Sequence, residues 1–172
     1  MQKLLSIFLL LFLSLQASSQ ETSKFEFWIS SLDKAGYDRV TYHVTENEIT
    51  VKDGPYDFIY FAKNYKSDRV VFKTKLNSLQ KDTLCKIGLV IYNDSLKSQY
   101  DNLCIIGGMI LSFDFEWGKK QKNTTISNYY LSSMAPFVDF VNKNVPEKYK
   151  IYFDKEELQK EMKDCPPDKI LH

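Results

Sequence analysis

The chain has 172 residues, with 23 Lys and Arg against 22 Asp and Glu and only two histidines. Without Lys3, which falls in the leader described next, bases and acids balance. No charge excess is left to hold a phosphate backbone or an acidic membrane surface, which argues against a nucleic-acid binder. Hydrophobic residues make 44% and aromatics 15% of the chain, enough to build a core, so disorder is not the default state.

Met1-Gln2-Lys3 is a short basic start. Leu4 to Leu15 is an apolar run broken only by Ser6 and Ser14, and Ala17-Ser18-Ser19 offers small side chains to a peptidase. An apolar run of about 12 residues is too short for a ~30 Å hydrocarbon core, which takes about 20. Residues 1–19 therefore read as a signal peptide cleaved before Gln20, with no cysteine there for lipid attachment. Residues 20–172 then make a single secreted or periplasmic domain with no membrane anchor after cleavage.

Phe25 to Leu32 is apolar and aromatic and fits a short helix or a first strand; Asp33 to Gly36 suits a turn. Val40, Tyr42 and Val44 alternate with Arg39, Thr41, His43 and Thr45, the period of a half-buried strand. Glu46-Asn47-Glu48 can turn the chain into Ile49-Thr50-Val51 as a hairpin. Asp53-Gly54-Pro55 is a strong turn signal. Phe58 to Ala62 and Arg69 to Leu76 are the third and fourth strand candidates.

From Asn77 the period changes. Asn77 can cap a helix with Gln80 as its capping-box partner, and Leu76, Leu79, Leu84, Ile87 and Ile91 form a loose stripe that Gly88 weakens. Asn93 to Asn102 is polar and reads as a connection. The clearest strand follows: Met109, Leu111, Phe113, Phe115 and Trp117 fall on one face and Ser112, Asp114 and Glu116 on the other. Gly118 to Gln121 makes a polar turn, and Thr124 to Tyr130 returns as the partner strand. Ser132 or Ser133 caps the next helix, with Pro136 in its first turn and an apolar stripe of Met134, Phe137, Val138, Val141 and Val145. Pro146 stops it, and Tyr149 to Phe153 is a short strand or an extended link. Asp154 and Glu157 open a final helix that carries Leu158, Met162 and Cys165 on one face. Pro166-Pro167 ends that helix, and the tail from about 166 is expected to fray. Strands come mostly in adjacent pairs, with helices between and after. The expectation is an α+β fold: an antiparallel sheet of about five to six strands packed on one face by two to three helices.

Ile126 to Tyr130, Phe137 to Asn142, Val145 to Ile151 and Tyr152 to Leu158, with Tyr100 to Ile105 upstream, resemble the C-terminal half of small exported proteins common in Bacteroidetes-type bacteria. The resemblance implies a bacterial periplasmic or extracellular setting. It brings no activity and no functional residues with it.

The residues themselves argue against most chemistries. His43 and His172 are too few for a His-based zinc site, and the acidic pairs Glu46/Glu48 and Glu156/Glu157 lack the order of a calcium loop, so neither metal nor cofactor is expected. Gly107-Gly108 lacks the spacing and lysine of a phosphate loop and suits a tight turn. His43 is the one plausible catalytic imidazole, with Cys85 a conceivable nucleophile. Asp114 and Glu116 stand roughly 6–7 Å apart along a strand and could serve as a carboxylate pair, although alternating acids on a wet face are ordinary. Cys85, Cys104 and Cys165 allow one disulfide and one free thiol. Cys104–Cys165 is preferred and Cys85–Cys104 is the alternative; the first closes a loop of about 60 residues and contributes roughly 4 kcal/mol.

Eleven Tyr and two Trp leave aromatic binding as the remaining positive signal. Trp117, Tyr129 and Tyr130 are the candidate binding residues, against the plainer reading of half-buried sheet aromatics. The functional expectation is an exported, non-enzymatic protein that binds another protein or a glycan, with an inhibitor or immunity-type role as one form. A small hydrolase using Asp114 and Glu116, or His43, is the alternative.

Overall fold

The computed structural model describes residues 25–32, 38–55 and 69–172. The signal-peptide reading, the turn at Asp33 to Gly36 and the strand candidate at Phe58 to Ala62 lie outside the described residues. Among those described, the fold is α+β. Eight strands form one mixed sheet, and three α-helices are interspersed among them in the chain.

Strands β1 (Phe25–Leu32), β2 (Asp38–Thr45) and β3 (Glu48–Pro55) form an antiparallel meander, and β4 (Arg69–Lys75) adds to β3. Helix α1 (Ser78–Asn93) comes next, then β5 (Gln99–Asn102) and the hairpin β6 (Ile110–Trp117)–β7 (Lys120–Ser127). Helices α2 (Ala135–Asn144) and α3 (Lys155–Lys163) precede the two-residue β8 (Ile170–Leu171). The spatial order is β4-β3-β2-β1-β6-β7-β5-β8, with β5 and β7 parallel and every other pair antiparallel. The sheet is therefore larger than the five to six strands expected, and it is not purely antiparallel.

The alternation read in the sequence sets the faces. Phe27, Ile29, Tyr42, Val44, Ile49, Val51, Leu111, Phe113, Phe115 and Ile126 all turn to one buried side. Phe27 is its centre, stacked on Phe115 at 4.4 Å and on Phe137 of α2 at 4.0 Å between centroids. Tyr42 donates its hydroxyl to the Tyr149 carbonyl at 2.7 Å, tying the β2 face to the segment after α2. Burial raises the Tyr42 hydroxyl well above the ordinary tyrosine range.

Helix α1 begins with the full capping box. Asn77 Oδ1 accepts from the Gln80 amide at 3.0 Å, and Gln80 Oε1 accepts from the Asn77 amide at 2.7 Å. Gly88, which weakened the helical reading, is where helix meets sheet: a Cβ there would sit 2.9 Å from Cζ3 of Trp117. The α1 stripe holds for Leu84, Ile87 and Ile91 but not for Leu79, which points outward. At the other end, the Lys122 ammonium donates to the carbonyls of Ile91, Tyr92 and Asp94 at 3.2, 2.6 and 2.5 Å. A cation thus satisfies the last carbonyls of α1.

Other local expectations shift. Asp53-Gly54-Pro55 is not a turn but the end of β3, paired with Asp38 to Val40. Gly118 and Lys119 alone join β6 to β7, with Gly118 at φ 59°, so β7 starts at Lys120 and Tyr129 and Tyr130 fall beyond it. Met134, not Ser132 or Ser133, is the N-cap of α2 and makes no side-chain cap bond. Pro136 sits in the first turn as expected, and the stripe from Met134 to Val145 is buried. Asp154 caps α3 by accepting from the Glu157 amide at 2.8 Å, while the Glu157 carboxylate takes the Tyr152 hydroxyl. Burial, then the hydrogen bond and charge of Glu157, raise that hydroxyl above its ordinary range. The helix stops at Lys163, so Cys165 lies just past it. The tail expected to fray docks on the sheet instead: β8 pairs with Asp101 and Asn102, and the Leu103 amide donates to the Lys169 carbonyl at 3.0 Å.

Candidate functional site

Residues expected to bind are placed by the sheet and helices as packing groups. Trp117, at the end of β6, lies on the helix-covered face beneath Gly88, with Tyr92 at 5.8 Å and Phe115 at 6.1 Å between centroids. Tyr129 leans on Tyr100 at 5.4 Å, and burial followed by the charge of Tyr100 raises its hydroxyl above the usual range. Tyr130 stacks on Phe153 at 5.2 Å, and its amide donates to the Met162 sulfur at 3.3 Å. All three are half-buried and pack against the core, so no exposed aromatic row joins them.

The preferred disulfide is present. Cys104, in the loop after β5, is bonded to Cys165, after α3, across 61 residues. Cys85 is a free, exposed thiol on α1. Helix α1 packs on the Phe27 face of the sheet, whereas His43 alternates onto the other, so the sheet separates Cys85 from the imidazole. The Cys85–His43 pairing considered from sequence is therefore not formed.

His43 does have neighbours, contributed by β1, which the sequence left undecided between helix and strand. Antiparallel pairing sets Trp28 opposite His43 on one side and Asp114 on the other, with Asn123 beyond Asp114. The Trp28 and His43 rings stack at 3.7 Å between centroids and 11° between planes. His43 Nε2 lies 3.2 Å from the Glu26 carboxylate, and the Lys52 ammonium stands 5.6 Å from the Trp28 centroid. One register step along, Glu26 faces Glu116. Asp114 and Glu116 thus share this face as the alternation implied, but they join a mixed polar field rather than an isolated pair. Trp28 and Glu26 are the members that sequence reasoning missed; their alternation with Phe27 and Ile29 was the available signal.

The register puts Thr50 opposite His43, yet Thr50 is only 7% exposed and cannot meet a substrate. Among the described residues no group of three or more His, Cys, Asp or Glu is placed to hold a metal ion. Two open grooves lie elsewhere. One of about 690 Å³ runs between the end of α1 and Ser132-Ser133, and one of about 330 Å³ runs along Asn142 and the segment Lys150 to Asp154. Among the described residues no helix is long and apolar enough to cross a membrane. No protein-family model matches the chain, and no curated protein matches it in sequence.

Proposed function

We propose that the protein is an exported, non-enzymatic binding protein whose ligand surface is the sheet face around Trp28. The observation that carries this reading is the Trp28–His43 stack, set on rigid neighbouring strands and framed by Glu26, Lys52 and Asp114. An indole bordered by carboxylates, an ammonium and the Asn123 amide offers both a ring to stack on and hydrogen-bond partners in either direction. A glycan is the macromolecule that this chemistry suits. The Cys104–Cys165 bridge supports an oxidising compartment outside the cytoplasm, in keeping with the short apolar leader. The hydrolase alternative has the His43–Glu26 contact in its favour, while the hydroxyl that the register sets opposite His43, that of Thr50, is only 7% exposed.

The test is affinity electrophoresis against a panel of soluble polysaccharides, followed by calorimetric titration of any glycan that retards the protein. Trp28→Ala is expected to weaken retention at least about ten-fold, equivalent to roughly 1.4 kcal/mol, with an unchanged melting curve. Retention that is indifferent to Trp28→Ala would place binding elsewhere.

A further inference from the structure

Several aliphatic side chains on the outer face of α1 are exposed. Leu79, Val90 and Leu89 are 75%, 59% and 44% exposed, an unusual set of aliphatics for the solvent side of a helix. At 100° per residue, Leu84, Gly88 and Ile91 point inward, while Asp82, Lys86 and Leu89 lie near the centre of the outward face. Leu79 and Val90 flank that centre on one side and Cys85 on the other.

These features are self-complementary. Leu79 is a knob near the N-terminal end of the helix. The groove of about 690 Å³, lined by Leu89, Val90, Asn93, Asp94, Ser132 and Ser133, lies near the C-terminal end. Antiparallel pairing of two such helices about a two-fold axis level with residue 84 sets each Leu79, five residues before the axis, level with Leu89 of the other copy, which lines its groove. The same pairing brings Asp82 of each copy level with Lys86 of the other, since the two lie two residues before and two after the axis. The knob is filled twice and the charge pair is made twice. An isologous contact requires that symmetry.

We propose that α1 is a homodimer interface and that its occupant is a second copy of this chain. Ultracentrifugation of the purified protein in reductant is expected to show a concentration-dependent dimer. Leu79→Glu and Val90→Glu are expected to raise the dissociation constant more than ten-fold with an unchanged melting curve. Asp82→Lys alone and Lys86→Asp alone are expected to weaken the dimer, and the double exchange to restore it. A protein that stays monomeric up to about 1 mM, a dimer indifferent to Leu79→Glu, or a double exchange that fails to restore pairing overturns the proposal. Monomer that captures a different protein on this face overturns it too.

Discussion

Replacing both Cys104 and Cys165 by alanine tests how much of the fold rests on one covalent clasp. The bridge spans 61 residues, from the loop after β5 to the end of α3. Loop-closure entropy for a ring of that size is worth about 4 kcal/mol at room temperature. A domain of this size holds about 5–15 kcal/mol in total, so the loss takes a quarter or more of it. At about 2–4 °C per kcal/mol, the melting temperature should fall by roughly 8–16 °C. The assay is urea and thermal unfolding of the double variant beside the parent, both carrying the free Cys85. Amide exchange should quicken first at Leu103, whose amide bonds to Lys169 next to the bridge. A loss below about 1 kcal/mol with an unchanged denaturant slope would refute the loop-closure reasoning.

Three further outcomes follow from particular contacts. Lys122→Met keeps the aliphatic stem but removes the cation from three carbonyls at the end of α1, and should cost about 2 kcal/mol in urea unfolding. Tyr42→Phe should cost about 1 kcal/mol near neutral pH by deleting the bond to the Tyr149 carbonyl. In the parent, the folded state holds the Tyr42 proton after the unfolded chain has released it. That contribution is therefore full below about pH 10, the ordinary tyrosine value, and declines as pH rises above it; Tyr42→Phe should show a shallower alkaline loss of stability. Gly108→Ala should cost roughly 1–3 kcal/mol in the same unfolding assay, because Gly108 has φ 97° and a Cβ there would come within 2.2 Å of Asn128 Oδ1. That oxygen accepts from the Met109 amide at 2.9 Å, so its displacement should loosen the entry to β6.

Where side chains alternate strongly, the sequence announced the structure. The faces of β2 and β6 could be read residue by residue, because burial on one side dictates a period of two. The caps at Asn77 and Asp154 and the α2 stripe were legible for similarly local reasons, and the Cys104–Cys165 bridge was the preferred of two pairings. What escaped depends on distant partners. Gln99 to Asn102 has no apolar alternation and becomes β5 only because Ile126 of β7 and Ile170 of β8 lie beside it. Lys120 and Gln121 looked like turn because long polar side chains hide a strand end that the register with β6 makes plain. The sheet face around Trp28 was half visible. His43 was placed on the wetter side, but its partners come from a segment whose aromatic run fits helix and strand alike. Trp117 drew notice as a binder because Tyr and Trp are abundant in the chain; in the fold it is half-buried against Gly88 of α1.

The parallel β5–β7 pair constrains the order in which the molecule can assemble. β5 is synthesised before the hairpin it must join, so it has to wait until β6 and β7 have closed on each other. β8 can settle only after β5 has docked, some seventy residues upstream of it in the chain. This margin of the sheet should therefore be the last to zip during refolding and the first to peel away. A variant shortened before Ile170 would leave the backbone of Asp101 and Asn102 open to strands from neighbouring molecules.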